Sequence, residues 1–321
     1  MPEPDDDLDY RHAPGTRVHY TAHQRGAGLT ALGGLALHLP GALFGLLLIG
    51  LLSRGLQSTT GIPYGIPVAL WLAAGVLCFH RPTEVCVARY LLRLHPPLPE
   101  ELALLTSVWR EVTVRAGVDG SRYQLWIEES GDVTSSAAGG HLVIVTRRSL
   151  DTLPTSQLAA VLAHELGHHT AGHTWSRMLT WWYALPGRLL WLILQPGARL
   201  ILREAKRIPA LAALLLGAAL AWAGYLTLAA TYGAPLLLLA LPFLTAAVGR
   251  RAELRADRHA ALLGFGPPLA EVLAAAAGPE DEEVGTLQLL LSPDPHHRTR
   301  LHRLQPYLPP PGRERRRAAT P

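Results

Sequence analysis

The chain has 321 residues, of which 49% are hydrophobic and 17% charged, and its mean hydropathy is +0.18. This balance is unusual for a soluble domain and predicts membrane-spanning segments. Two cysteines are too few for a disulfide framework, and the net charge of +4 comes without a basic face interleaved with aromatics, which argues against nucleic-acid binding.

The N-terminal part is predicted to be a polar tail followed by a membrane hairpin. Residues 1–28 open with "PEPDDDLD" and are expected to be disordered. Two apolar runs, 29–52 and 62–79, lie within residues 29–80 and predict a transmembrane hairpin. Arginines cluster on its outer flanks, whereas its linker carries only Arg54, so the positive-inside rule places both flanks in the cytoplasm.

Residues 81–176 read as the first part of a water-soluble α/β domain. An amphipathic helix is expected over 98–117, a strand over 123–129 and a short apolar strand within 139–150. A further helix is expected over 155–170, with Thr155 or Ser156 as its N-cap after Pro154.

This last helix carries a motif with metal chemistry. His164 and His168 lie four residues apart and therefore share one helix face, where both imidazoles can bind one ion. Glu165 lies beside them, where a carboxylate can accept a proton from water. Metzincins take their third ligand six residues after the second histidine, but that position is Thr174 here.

The third ligand is therefore expected from a distant segment, and Glu253 in "RRAELRAD" is the best candidate. Asp257 follows on the same helical face and could orient a ligand histidine. The alternative, a solvated helix face shared with Arg255 and Arg258, would be favoured if the upstream histidine motif were absent.

A shared metal site also constrains the predicted topology. His164 and Glu253 must lie on one side of the membrane, so an even number of spans separates them. We expect an interfacial basic and aromatic segment at 177–208, a second hairpin at 209–249, the second domain part at 250–308 and a disordered tail at 309–321. A competing topology makes 178–202 a span and 209–249 one long or broken span, but it leaves four basic residues outside.

Two sequence stretches, "AAVLAHELGHH" and "RRAELRADRHAALL", resemble those of the M48 metallopeptidases, in particular the HtpX-like members. "SPDPHHRTRLHRL" is similar to the late motif of that family. The resemblance implies an α+β zincin-type metallopeptidase domain combined with transmembrane helices, mainly α, with one zinc ion bound by two histidines and Glu253. The chain departs from the family where Ser135-Ser136-Ala137 replaces Asn-Ala-Phe and where Asp294 replaces a histidine.

The expected function is that of a multi-pass cell-membrane zinc metalloendopeptidase whose active site faces the cytoplasm. Its substrates would be peptides or unfolded membrane proteins, its partner the lipid bilayer and its role membrane protein quality control. Two alternatives are a BlaR-like (M56) sensor protease that cleaves a regulator and a non-catalytic membrane adaptor with a vestigial zinc site.

Two further expectations concern substrate contacts. Arg300, His296 and His297 are candidates for contacts with the transition state or substrate, against the alternative of a solvated basic loop. The strand at 141–146 is a candidate sheet edge to which an extended substrate could add.

Overall fold

The computed structural model describes residues 26–131, 135–205, 209–230, 234–277 and 285–308, and it is mostly helical with one small sheet. This confirms the predicted fold class. The predicted disordered tails lie outside the described residues, except for 26–28. The helices are α1 (Leu29–Thr60), α2 (Gly65–Ala74), α3 (Arg81–Cys86), α4 (Pro99–Ala116), α5 (Arg147–Thr152), α6 (Thr155–Thr170), α7 (His173–Ala205), α8 (Ala210–Ala230), α9 (Ala234–Ala260), α10 (Gly266–Ala276), α11 (Thr286–Leu291) and α12 (His297–Leu304). The strands are β1 (Gln124–Glu128), β2 (Ser135–Ala138) and β3 (Leu142–Thr146).

The chain divides into two compact units. The mixed unit comprises the described residues of 1–35, 76–179 and 246–321, and the helical unit comprises those of 36–75 and 180–245. The mixed unit has an apolar core in which side chains of α4, β1, α6 and α12 are fully buried, which provides a rigid frame for polar groups placed on those elements. Examples are Leu105, Ile127, Leu162, Leu166 and Leu304.

The sheet of the mixed unit has the strand order β1-β3-β2. β3 pairs parallel with β1 and antiparallel with β2, and all five of its residues are buried. The expectation that the strand at 141–146 is a sheet edge is therefore wrong. Its continuous apolar run is typical of a strand covered on both faces, whereas β1 and the polar strand β2 form the two edges.

Helix α6 lies in the core of the mixed unit and has the predicted bounds. It begins at Thr155, but Pro154 occupies the N-cap position without a side-chain hydrogen bond, so the predicted cap is wrong. Gly167 lets this helix approach α9 closely, since a Cβ atom at that position would lie only 3.0 Å from the Cα of Ala256.

Helix α9 is continuous across the predicted boundary between membrane and domain at residues 249 and 250. It starts at Ala234, runs to Ala260 and continues as a π-helical turn over 261–265. Gly264, within this turn, has a φ of 92°, which a glycine adopts without strain. The apolar segment and the candidate third ligand therefore belong to one continuous helix.

Two helical stretches in the described part of the chain are long and apolar enough to cross a membrane, Leu29–Thr60 and Leu238–Ala276. The bent pair Gly65–Phe79 and Arg81–Leu91 could be a third. In the second stretch, charged residues at 250–258 separate an apolar part ending at Gly249 from residues 259–276, many of which are buried in the mixed unit. These helices indicate membrane association, and the arrangement in two hairpins stays a prediction.

In the helical unit, two aromatic side chains of α7 pack against α2. The Trp182 indole donates to the carbonyl of Trp71 at 3.4 Å, and the Tyr183 hydroxyl donates to the carbonyl of Leu72 at 2.9 Å. Trp71 and Tyr183 also meet edge to face, with ring centroids 5.2 Å apart. These aromatic side chains therefore join α7 to α2.

Candidate metal centre

The structure brings His164, His168 and Glu253 together between α6 and α9. One donor atom from each lies within 4.8 Å of the others, and these three residues form the group that could hold a metal among the described residues. The two Nε2 atoms are 3.2 Å apart. The carboxylate oxygens of Glu253 lie 3.2 Å from Nε2 of His164 and 3.3 Å from Nε2 of His168.

These distances fit a tetrahedral zinc ion. Zinc binds imidazole nitrogen and carboxylate oxygen at about 2.0–2.2 Å, so two ligands on a tetrahedron are separated by roughly 3.3–3.5 Å. The two nitrogens are separated by 3.2 Å, and each has a different carboxylate oxygen of Glu253 at 3.2 or 3.3 Å, so all three spacings are close to that value. The donor set, two imidazoles and one carboxylate, is also one that catalytic zinc sites use with a fourth position left open.

A second layer of charged groups orients His164. Its Nδ1 lies 2.9 Å from Oδ1 of Asp257, and its Nε2 is directed at Glu253 and His168. Arg300 in turn donates two hydrogen bonds to Asp257, at 2.6 and 2.8 Å, and its Nη2 atom lies 3.5 Å from Nδ1 of His164. Arg300 thus binds the Asp257 carboxylate, which in turn orients His164.

These carboxylates also change the protonation of His164. Burial alone would lower the pKa of His164, but hydrogen bonds to Asp257 and Glu253 raise that pKa to about 10. Without a metal the imidazole therefore keeps its second proton at neutral pH. Metal binding must release that proton, so the affinity for metal decreases as the pH falls.

Glu165 is held at the edge of the sheet. The hydroxyl of Ser135 donates to Oε1 of Glu165 at 2.6 Å, and Glu165 is buried. Ser135 is the first residue of β2, so the edge strand runs beside the carboxylate. Sequence reasoning did not assign this contact. The available signal was the departure from the family motif at Ser135.

The additional histidines of the motif contact neighbouring elements. Nε2 of His169 lies 2.9 Å from the carbonyl oxygen of Leu142, and its Nδ1 lies 3.1 Å from the hydroxyl of Thr174. Burial lowers the pKa of His169 to about 4, so its ring is neutral. His173 contacts the hydroxyl of Thr30, to which Arg255 also donates. These contacts tie α6 to the sheet and the start of α7 to the start of α1.

His296 and His297 lie at the start of α12. Nδ1 of His296 accepts a hydrogen bond from the backbone amide of Arg298 at 3.2 Å, which caps the helix. Neither ring belongs to the group of candidate metal ligands among the described residues. Their expected contacts with substrate stay predictions.

Comparison with known families is consistent with this geometry. The model of peptidase family M48 matches residues 99–307, which is well over half of the chain and includes all three candidate ligands. Comparison with curated proteins gives no match. Members of this family are metallopeptidases and are typically zinc-dependent. The chain belongs to peptidase family M48.

Proposed function

We propose that the protein is an integral membrane zinc endopeptidase in which His164, His168 and Glu253 hold the metal. The observation that supports this proposal most directly is the close approach of two imidazole nitrogens and the Glu253 carboxylate, at 3.2–3.3 Å, in a chain of family M48. Asp257 fixes the tautomer of His164, and Arg300 fixes Asp257.

The proposed reaction is hydrolysis of a peptide bond. A zinc ion in such a site lowers the pKa of water and polarises the scissile carbonyl. Glu165 accepts the proton of the attacking water and delivers it to the leaving amine. Ser135 holds the Glu165 carboxylate in one orientation through the 2.6 Å hydrogen bond, which reduces the reorganisation needed at that step.

The edge strand β2 is the proposed place for the substrate backbone. One side of β2 pairs with β3, and no other described strand pairs with its second side. An extended peptide that adds there would pass Ser135 and reach Glu165, and backbone hydrogen bonds would bind it with little dependence on sequence. That property suits unfolded proteins as substrates.

We further propose a multi-pass arrangement with the candidate metal centre on the cytoplasmic side. The arginines that flank residues 29–80 support this orientation, and so does the requirement that the two ligand-bearing segments share one side. Hairpins at 29–80 and 209–249, with an interfacial segment at 177–208, meet both conditions. Quality control of membrane proteins is the role we propose, from the resemblance to HtpX-like enzymes.

The test compares wild type with Glu165→Gln, both loaded with zinc in detergent. We expect one zinc per chain in both proteins by elemental analysis. Degradation of an unfolded model protein should fall by about 10²–10⁴-fold in the variant, because only the proton acceptor is lost. Glu271→Gln, at an exposed position on α10, is the matched control and should keep wild-type activity. Zinc binding without cleavage by the wild type would contradict the proposal and favour the adaptor.

A further inference from the structure

Helix α11 exposes an unusual amount of apolar surface for its length. Four of its six residues are leucines: Leu287, Leu289, Leu290 and Leu291 are 62%, 39%, 48% and 40% exposed. Contiguous apolar patches on a protein surface mark sites of contact with a protein or a membrane. The core of the mixed unit therefore does not cover these leucines, and their apolar surface is available for contact with a protein or a membrane.

The position of α11 in the fold indicates which partner. The Arg250 guanidinium donates to the carbonyls of Leu290 and Ser292 at 3.1 and 2.7 Å, which caps the end of the short helix. Gly249 lies against Pro293, since a Cβ atom at Gly249 would be 2.7 Å from the Cβ of Pro293. The end of α11 is therefore fixed to residues 249–250 of α9.

Residues 249–250 are also where the character of α9 changes. Before Gly249 the helix is apolar and several of its leucines are exposed, as with Leu239 at 67%. After it come Arg250 and Arg251, which are suited to the head-group layer. In a bilayer, such a helix would leave the hydrocarbon at this change, and the end of α11 is held at the same residues.

We infer that α11 inserts its leucines into the interface of the lipid bilayer beside α9, and that the metal centre acts on peptide bonds next to the membrane surface. A bilayer explains the location of the patch and its continuity with an apolar helix. The second half of the inference rests on the proposed peptidase function.

The geometry of α9 sets the distance between membrane and metal centre. Glu253 follows Gly249 by four residues, which corresponds to about 6 Å along a helix that rises 1.5 Å per residue. The head-group layer of one leaflet is about 5–7 Å thick. The preferred substrates are therefore membrane-anchored chains, with the scissile bond roughly two to five extended residues from the apolar segment.

A depth measurement tests the insertion independently of proteolysis. An environment-sensitive fluorophore is attached at Leu289→Cys in a Cys86→Ser, Glu165→Gln background, and the protein is reconstituted in phosphatidylcholine vesicles with or without doxyl-labelled lipid. Cys78 is buried, and the background protein alone gives its residual labelling. The control label is at Val114→Cys, an exposed apolar position on α4. We expect doxyl lipid to quench the label at position 289 several-fold more than the label at position 114. Equal quenching, or a shielded label that doxyl lipid does not quench, would overturn the inference, the latter in favour of a protein partner.

A cleavage assay tests the consequence for substrates. Peptides carry one membrane anchor and a cleavable segment either three or fifteen residues from it. We expect the wild type to cut the near segment at least about tenfold faster, because a tether that matches the span from bilayer to metal centre gives a higher effective concentration than a longer one. Leu289→Glu with Leu290→Glu should remove this preference and leave cleavage of a soluble peptide unchanged. Equal rates for the near and far segments would overturn the substrate inference. Quenching without cleavage of any peptide would instead contradict the proposed peptidase function and leave the insertion of α11 intact.

Discussion

Helices α6 and α9 both contribute to the candidate metal centre, but they differ in how they place their side chains. Most of α6 is buried, and its two histidines share a face because they lie four residues apart. α9 combines an exposed apolar half with a half that buries Asp257 and partly buries Glu253. Local periodicity thus aligns two ligands, whereas the third depends on how the two helices pack.

The largest effect is expected from removing Glu253, the ligand whose position depends on helix packing. In Glu253→Gln we expect zinc binding to drop well below one ion per chain and peptidase activity to fall by more than about 10³-fold, because a neutral amide replaces the carboxylate ligand. Elemental analysis and a peptide assay measure both quantities. Glu271→Gln is the control, and full zinc occupancy in the Glu253 variant would show that this residue is not a ligand.

A second prediction concerns the distance between α6 and α9, which can be changed without replacing either histidine. A Cβ atom at Gly167 would lie 3.0 Å from the Cα of Ala256 and 3.1 Å from the Cβ of His259, so Gly167→Val must push α9 away. We expect a loss of activity of about 10²-fold, the cost of misplacing a catalytic group by about 1 Å. Gly217→Val, where nothing lies within 4 Å, should have no such effect. Unchanged activity in the Gly167 variant would refute the role assigned to this close approach.

A third prediction concerns the orientation of His164, which Asp257 holds in place. Asp257→Asn keeps the shape of the side chain but removes the charge that orients His164 at 2.9 Å. We expect zinc affinity to fall by about 10–100-fold, as for other groups that orient metal ligands. Competition with a zinc chelator measures this affinity. Asp151→Asn, at an exposed position on α5, is the matched control, and equal affinities for the two variants would argue against an orienting role.

The smallest expected effect concerns the edge strand. Ser135→Ala removes the hydrogen bond to Glu165, and a bond to a charged group is worth about 1.5 kcal/mol, or roughly tenfold in rate. We expect kcat to fall by about that factor with zinc content unchanged. Ser135→Thr should restore most of the rate, and Ser136→Ala, on the exposed side of β2, should not change it. A loss of zinc in Ser135→Ala would point to a structural role instead.

Much of the fold could be predicted because local patterns decide it. The bounds of α6 follow from its helical periodicity, β1 from alternating apolar and polar residues, and β3 from a short apolar run. The position of β3 in the sheet could not be predicted with the same certainty, because strand order depends on pairing between distant segments. Its continuous apolar run was nevertheless a signal for the centre of the sheet.

The sequence by itself determined the pairing of His164 with His168, the acidic neighbour Glu165 and the candidacy of Glu253, since these rest on residue type and helical spacing. Only the tertiary structure decided that Ser135 bonds to Glu165, that Arg300 bonds to Asp257 and that α9 runs unbroken from an apolar segment to the metal centre. The physical reason is the separation along the chain over which each effect acts. Helical periodicity acts over one or two turns, whereas contacts between residues 30 or more positions apart exist only once the core has packed.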